Sequence, residues 1–152
     1  MNEHQVSLDD IMPLMLETLS QGKTVTFSPH GKSMLPMLRE GRDSVTLASP
    51  PNRLNKYDVA LYQRKNGQYV LHRIVRVKDT YSFVGDNQFA IEKGIEQSQI
   101  IAVCTSFTRN GKEQSPISFG WRAYAVLWHY SRFPRRVIRA IARRVNGIFC
   151  KK

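Results

Sequence analysis

Apolar residues near the start of the chain recur at helical spacing. Ile11, Leu14, Met15 and Leu19 fall at i, i+3, i+4 and i+8, which predicts a short amphipathic helix over roughly residues 8–20. Ser7, followed by Asp9 and Asp10, forms a helix start with acids at the positive end of the dipole. Pro13 favours a cap at Asp9 or Asp10, and Gly22 ends the segment. After Gly22 the pattern changes to period two. Strands are predicted over 23–28, 44–48, 58–63, 69–77, 80–85 and 99–108. Asn66-Gly67 lies between two of them and Asn110-Gly111 follows the last, and both pairs favour hairpin turns.

The chain thus divides into an N-terminal helix over 1–22, an antiparallel β domain over 23–115, and a tail over 116–152. In the tail, the aromatic-rich segment 117–131 is predicted helical, and Pro134 opens a second helix near its first turn. On a helical wheel Val137, Ile138, Ile141, Ala142, Val145, Ile148 and Phe149 share one face. Arg135, Arg136, Arg139, Arg143 and Arg144 occupy the other. The fold class is therefore mainly β, with a basic helical C-terminal extension.

Charge sharpens this division. At 152 residues the chain has room for one sizeable core, and its formal net charge is +11. Residues 1–108 hold 12 Lys/Arg against 11 Asp/Glu, whereas residues 109–152 hold 11 against 1. The basicity belongs to the tail. It fits a helix packed on the domain with its arginines in water, an in-plane anchor on an anionic membrane, or a nucleic-acid contact. Arginine density alone discriminates poorly among these. Trp121, Tyr124, Trp128 and Tyr130 are residue types that settle at lipid interfaces, so the membrane surface is favoured and nucleic acid disfavoured. MNEHQVSLDD has no apolar signal-peptide core, and no run reaches the roughly 20 apolar residues of a membrane span. A cytoplasmic or peripheral membrane location is expected. Cys104 sits in the apolar run IIAVC and Cys150 near the terminus, so no disulfide framework arises. The four histidines are scattered, and no metal or cofactor is expected.

The candidate chemistry starts at VTFSPHGKSMLPMLREGRDSVTL. A phosphate-binding loop would need glycine at position 26, which is Thr26, and Pro36 falls where its helix should run. Ser33 needs another role. His72 interrupts the apolar alternation of YVLHRIVRV, and FVGDNQFAIEKG supplies Asp86 in a glycine-led turn and Glu92 six residues later. Serine, histidine and carboxylate are the parts of a nucleophilic hydrolase: the base takes the hydroxyl proton and the acid orients the imidazole. Each also has an ordinary reading, as a turn serine, a hydrogen-bonded strand histidine or a turn aspartate. Lys32 is an alternative base, but adjacent side chains on extended backbone point apart.

These segments resemble the boxes of the signal peptidase I-like serine peptidases, the superfamily that includes the self-cleaving LexA-type repressors. The matches are Gly31-Lys32-Ser33-Met34-Leu35-Pro36, Gly41-Arg42-Asp43 with one residue inserted, Lys56-Tyr57-Asp58 without its glycine, His72-Arg73-Ile74-Val75, and Gly85-Asp86-Asn87. Histidine at the base position is closest to the endoplasmic-reticulum and archaeal branch. The resemblance spans about residues 24–105 with its order intact. It implies a signal peptidase/LexA-like fold and hydrolysis of a leader or signal-type precursor peptide through a Ser33 acyl-enzyme. His72 would be the general base, with Asp86, Glu92 or both as its carboxylate. The Ser33 N–H, helped by flexible Gly31, would bind the oxyanion, Met34 would pack under the site and touch the substrate, and Pro36 would flank it. Arg73 would form a structural ion pair or contact substrate.

The departures are an acid of the wrong length, Glu92 where aspartate is usual, and no match to the family's N-terminal membrane helix or the repressors' DNA-binding domain. The alternative is a non-catalytic, regulatory peptidase-like binding protein. Ala123-Tyr124-Ala125 also matches the small-x-small pattern of leader cleavage sites, which raises self-cleavage against the plainer reading of alanines in a helix.

Overall fold

The period-two segments pair into one antiparallel sheet in the structure, a computed structural model that describes residues 8–149. The strands are β1 (Val25–Phe27), β2 (Ser44–Ala48), β3 (Val59–Gln63), β4 (Tyr69–Val77), β5 (Tyr81–Val84), β6 (Glu92–Ile95), β7 (Ile100–Arg109) and β8 (Lys112–Gln114). Their order is β1-β2-β7-β3-β4-β5-β6, with β8 beside the end of β7. All six predicted strands are present. The short β6 and β8 carry too few apolar positions for a period to show.

Both Asn-Gly pairs make turns. Asn110 and Gly111 have φ of 52° and 73°, the two positive values that a two-residue hairpin requires, and β8 returns along β7 from there. Gly67, with φ 88°, turns β3 into β4. Tyr57 stands where the sequence pattern lacks its glycine, and it too is left-handed, at φ 76°. Its N–H donates to the Ile74 carbonyl at 2.7 Å and the Ile74 N–H donates to the Asp58 carbonyl at 2.8 Å, extending the β3–β4 ladder past Val59.

The sheet buries side chains on both faces. On one, Val45, Leu47, Val59, Leu61, Leu71, Ala102, Cys104 and Phe107 form a core with Met34, Met37 and Leu38. On the other, Ala60, Tyr62, Ile74, Tyr81, Phe83 and Ile100 pack together. The first core is closed by α1 (Leu8–Ser20), which carries Pro13 in its second turn and starts earlier than a cap at Asp9 or Asp10 would allow. Its inward residues are Met12, Met15 and Leu19, with Ile11 at the margin, whereas Leu14 is 68 % exposed. The predicted stripe was thus right in period and shifted round the helix. Gly22, left-handed at φ 73°, ends it. Ser7 and Cys150 lie outside the described residues.

Two helices follow the sheet, α2 (Phe119–Tyr130) and α3 (Arg132–Phe149). Among the described residues no helix is long and apolar enough to cross a membrane. Of the four aromatics that composition marks for lipid, Trp121, Tyr124 and Trp128 are engaged with the domain. Trp121 stands edge-on to Phe107 at 4.8 Å between ring centres, Tyr124 packs against the same core, and Ala125 is fully enclosed. Phe119 and Tyr130, 90 and 70 % exposed, remain outside. α2 therefore belongs to the folded domain, because its Trp121 and Tyr124 complete the core. Trp121→Ala is expected to cost about 2–3 kcal/mol of unfolding free energy in urea titration, a loss a detachable tail would not produce.

Candidate functional site

The loop between β1 and β2 carries Ser33 and is held from several sides. Met34, Met37 and Leu38 drop into the core beneath it. Arg109 donates to the Pro36 and Met37 carbonyls, the latter at 2.9 Å. Arg39 grips Asp43 through both carboxylate oxygens, at 2.8 and 2.7 Å. That pairing draws the Asp43 carboxyl below its ordinary range. The Gly-x-Asp box is thus a clamp that closes the loop. Gly31, exposed and left-handed at φ 86°, makes the bend before Ser33, and its backbone N–H helps hold the Glu40 carboxyl below its ordinary range. Met34 is 4 % exposed and packs under the loop, and Pro36 is half-buried.

The turn 85–87 meets this loop directly. The Asn87 N–H donates to the Ser33 carbonyl at 2.8 Å, and the Asn87 side-chain amide donates to the Lys32 carbonyl at 3.0 Å. Gly85 is pressed between the two candidate residues: a Cβ there would lie 2.7 Å from the Ser33 carbonyl oxygen and 3.0 Å from His72 Nε2. The serine backbone and one imidazole nitrogen therefore close on the same point. The Ser33 hydroxyl and His72 are not hydrogen-bonded to each other among the described residues. The Ser33 N–H has no backbone acceptor among the described residues.

His72 lies in β4 opposite Ala60 and is 2 % exposed. Its Nδ1 is 3.4 Å from the Tyr62 hydroxyl and 3.7 Å from Glu92 Oε1. The Nδ1-protonated neutral ring is the tautomer that leaves a lone pair on Nε2, the nitrogen on the Gly85 side. Burial pushes the His72 pKa down to about 4, opposed by the nearby Glu92 charge. Glu92, at the start of β6, is held by a two-pronged pair with Arg64, Nε donating to Oε2 at 2.8 Å. Hydrogen bonding from Arg64 keeps the Glu92 carboxyl below its usual range. Burial, then the Glu92 carboxylate, raises the Tyr62 phenol.

The structure separates the two candidate carboxylates. Asp86 is 4 % exposed, and both its oxygens are engaged by Arg73, Oδ1 by Nε and Oδ2 by a terminal nitrogen, each at 2.8 Å. Tyr124 donates to Oδ2 at 3.0 Å, and Trp128 donates to the Asp86 backbone carbonyl at 2.6 Å. The carboxylate beside the histidine is Glu92. Arg73 points to the opposite sheet face from His72, where it also reaches the Tyr57 carbonyl at 3.0 Å and Met37 Sδ at 2.9 Å.

The sequence gives Tyr62, Arg64, Asn87, Tyr124 and Trp128 no role at this site, yet all of them shape it. Arg64 and Glu92 are 28 residues apart and Trp128 and Asp86 42 apart, so no local pattern marks them. Asn87 was visible in Gly85-Asp86-Asn87 and lacked only a partner. The Ala123-Tyr124-Ala125 segment lies inside α2 with Ala125 1 % exposed, closed to any cleft that takes extended chain. No group of three or more metal-ligating side chains occurs among the described residues.

The two carboxylates should respond differently to removal. Asp86→Ala leaves the Arg73 guanidinium buried and unpaired and is expected to cost about 3–5 kcal/mol in chemical denaturation. Glu92→Gln, at a partly exposed site, is expected to cost less than about 1 kcal/mol. Equal losses would reverse the separation.

Comparison with protein-family models, curated proteins and solved structures finds no match to this chain.

Proposed function

We propose that the chain is a serine endopeptidase of the signal peptidase I-like kind, acting on extended precursor peptides with Ser33 as nucleophile and His72 as base. The observation that carries this reading is the packing of Gly85 against both the Ser33 carbonyl and His72 Nε2, with Glu92 on the other side of the ring. A serine loop, an imidazole and a clamped carboxylate brought together from three separate segments match the order of roles in nucleophilic acyl transfer.

The reaction follows from those positions. Nε2 takes the Ser33 hydroxyl proton as Oγ attacks the peptide carbonyl. The Ser33 N–H donates to the oxygen that gains charge. The imidazolium, steadied by Glu92 through Nδ1, returns the proton to the leaving amine, and the acyl-enzyme forms. Water then enters with the same nitrogen as base, and the acyl group leaves. Arg64 holds Glu92 ionised and in place. Asp86 and Arg73 keep the turn that carries Gly85 and Asn87 against the serine loop. Neither touches the reacting atoms.

The test is cleavage of a library of unstructured peptides, read by mass spectrometry. Ser33→Ala and His72→Ala are each expected to lower kcat by a factor of about 10³ or more with the fold retained. Cleavage by Ser33→Ala equal to wild type would remove Ser33 from the reaction, and no cleavage by the wild type would leave a peptidase-like binding protein. Gly85→Ala forces the Ser33 backbone and the imidazole apart and is expected to lower kcat at least tenfold, about 1.4 kcal/mol.

Acidity gives a separate check. Neutral imidazole is the working base, and its pKa is depressed to about 4, so kcat/KM should hold through pH 6 and fall only toward pH 4. An acid limb centred near 6.5 would mean a solvent-exposed histidine. The sign for stability follows from the same shift. The unfolded chain takes this proton near pH 6.5 and the folded chain only near 4, so protonation favours unfolding across that window. At pH 4 the wild type is expected to have lost about 3 kcal/mol through this residue relative to pH 7, a loss that His72→Gln escapes.

A further inference from the structure

The residues with which α3 touches the domain are arginines. Arg135 donates to the Asp86 carbonyl at 3.3 Å and stacks on Trp128, 3.6 Å from its ring centre. Arg139 donates to the Asn87 side-chain oxygen at 2.7 Å. An amphipathic helix on a water-soluble domain normally turns its apolar stripe inward. Here the stripe faces out: Phe133, Val137, Ile138 and Ile141 are 76, 42, 64 and 56 % exposed. Leu127 and Tyr130 of α2 add 71 and 70 % exposed side chains. Arg136, Arg143 and Arg144 are exposed on the same helix, and no salt bridge joins them to an acid among the described residues.

A surface that is apolar along its middle and cationic beside it calls for a partner that is apolar and anionic. Residues 109–152 contain a single acid, Glu113, so two copies facing each other here would oppose two strongly basic segments. Nucleic acid offers phosphates but nothing to cover Phe133, Ile138 and Ile141. We propose that the outward face of α2 and α3 lies in the plane of an anionic lipid surface. The apolar side chains enter the acyl boundary, and Arg136, Arg143 and Arg144 sit at headgroup level. The inward arginines remain on the 86–87 turn, so the docked helix and the Ser33 loop stay joined through Asn87. Docking does not require peptide hydrolysis, and it stands or falls apart from the peptidase reading.

The experiment is flotation of the full chain with liposomes of phosphatidylcholine and phosphatidylglycerol in equal parts, against phosphatidylcholine alone. The chain is expected to float with the anionic liposomes, to bind neutral ones at least about tenfold more weakly, and to release as salt is raised. The double variant Ile138→Asp, Ile141→Asp alters only exposed positions. It is expected to keep its circular dichroism spectrum and lose anionic binding by more than about tenfold. Arg136→Glu with Arg143→Glu is expected to lose it by a similar factor. Flotation of the aspartate variant equal to wild type overturns the proposal. So does a wild type that ignores anionic liposomes while binding duplex DNA, or one that sediments as a dimer which the aspartate variant breaks.

Discussion

The buried ion pair of Arg73 and Asp86 ties the molecule together. Both side chains are almost wholly out of water, and two parallel hydrogen bonds of 2.8 Å join them. Each partner also holds other segments. Arg73 binds the Tyr57 carbonyl and Met37, and so meets the approach to β3 and the serine loop. Asp86 receives Tyr124 through its carboxylate, while its carbonyl receives Trp128 and Arg135, which secures both C-terminal helices. Burying such a pair gains little over an apolar pair of equal volume, but breaking it leaves a bare charge in the core. Its effect is therefore one of placement, setting where the turn 85–87 sits.

That turn positions everything the site needs. With Asp86 fixed, Asn87 reaches the Ser33 and Lys32 carbonyls, and Gly85 comes against His72 with no room for a side chain. The two carboxylates then have different tasks because their surroundings differ. Asp86 is engaged by Arg73, whose side chain lies on the sheet face opposite His72, and by Tyr124. Glu92 is at a sheet edge, held ionised by Arg64 and open on its histidine side. Its extra methylene relative to aspartate allows it to reach both partners from the start of β6.

The C-terminal helices follow the same constraint. Because the 85–87 turn offers carbonyl and amide oxygens at the surface, the groups that dock there are guanidiniums and an indole N–H, which donate. Aliphatic side chains could not satisfy those acceptors. The basic face of α3 is thereby drawn inward at Arg135 and Arg139, and the apolar stripe is left outside.

How much of this was readable along the chain depends on range. The helix at residues 8–20, six strands and both Asn-Gly turns came from spacing alone, since period and turn chemistry are local properties of the backbone. The serine, the histidine and both acids were readable as candidates because unusual residues interrupt regular patterns. Short β6 and β8 were not, having no period to display. Nor could the sequence choose between Asp86 and Glu92, because the choice lies in Arg64 and Tyr124, which lie 28 and 38 residues from the acids they bind. The arginine and apolar faces of α3 were plain on a wheel, but a wheel has no inside. Which face meets the domain depends on the acceptors opposite it, and only the packing of the 85–87 turn supplies those.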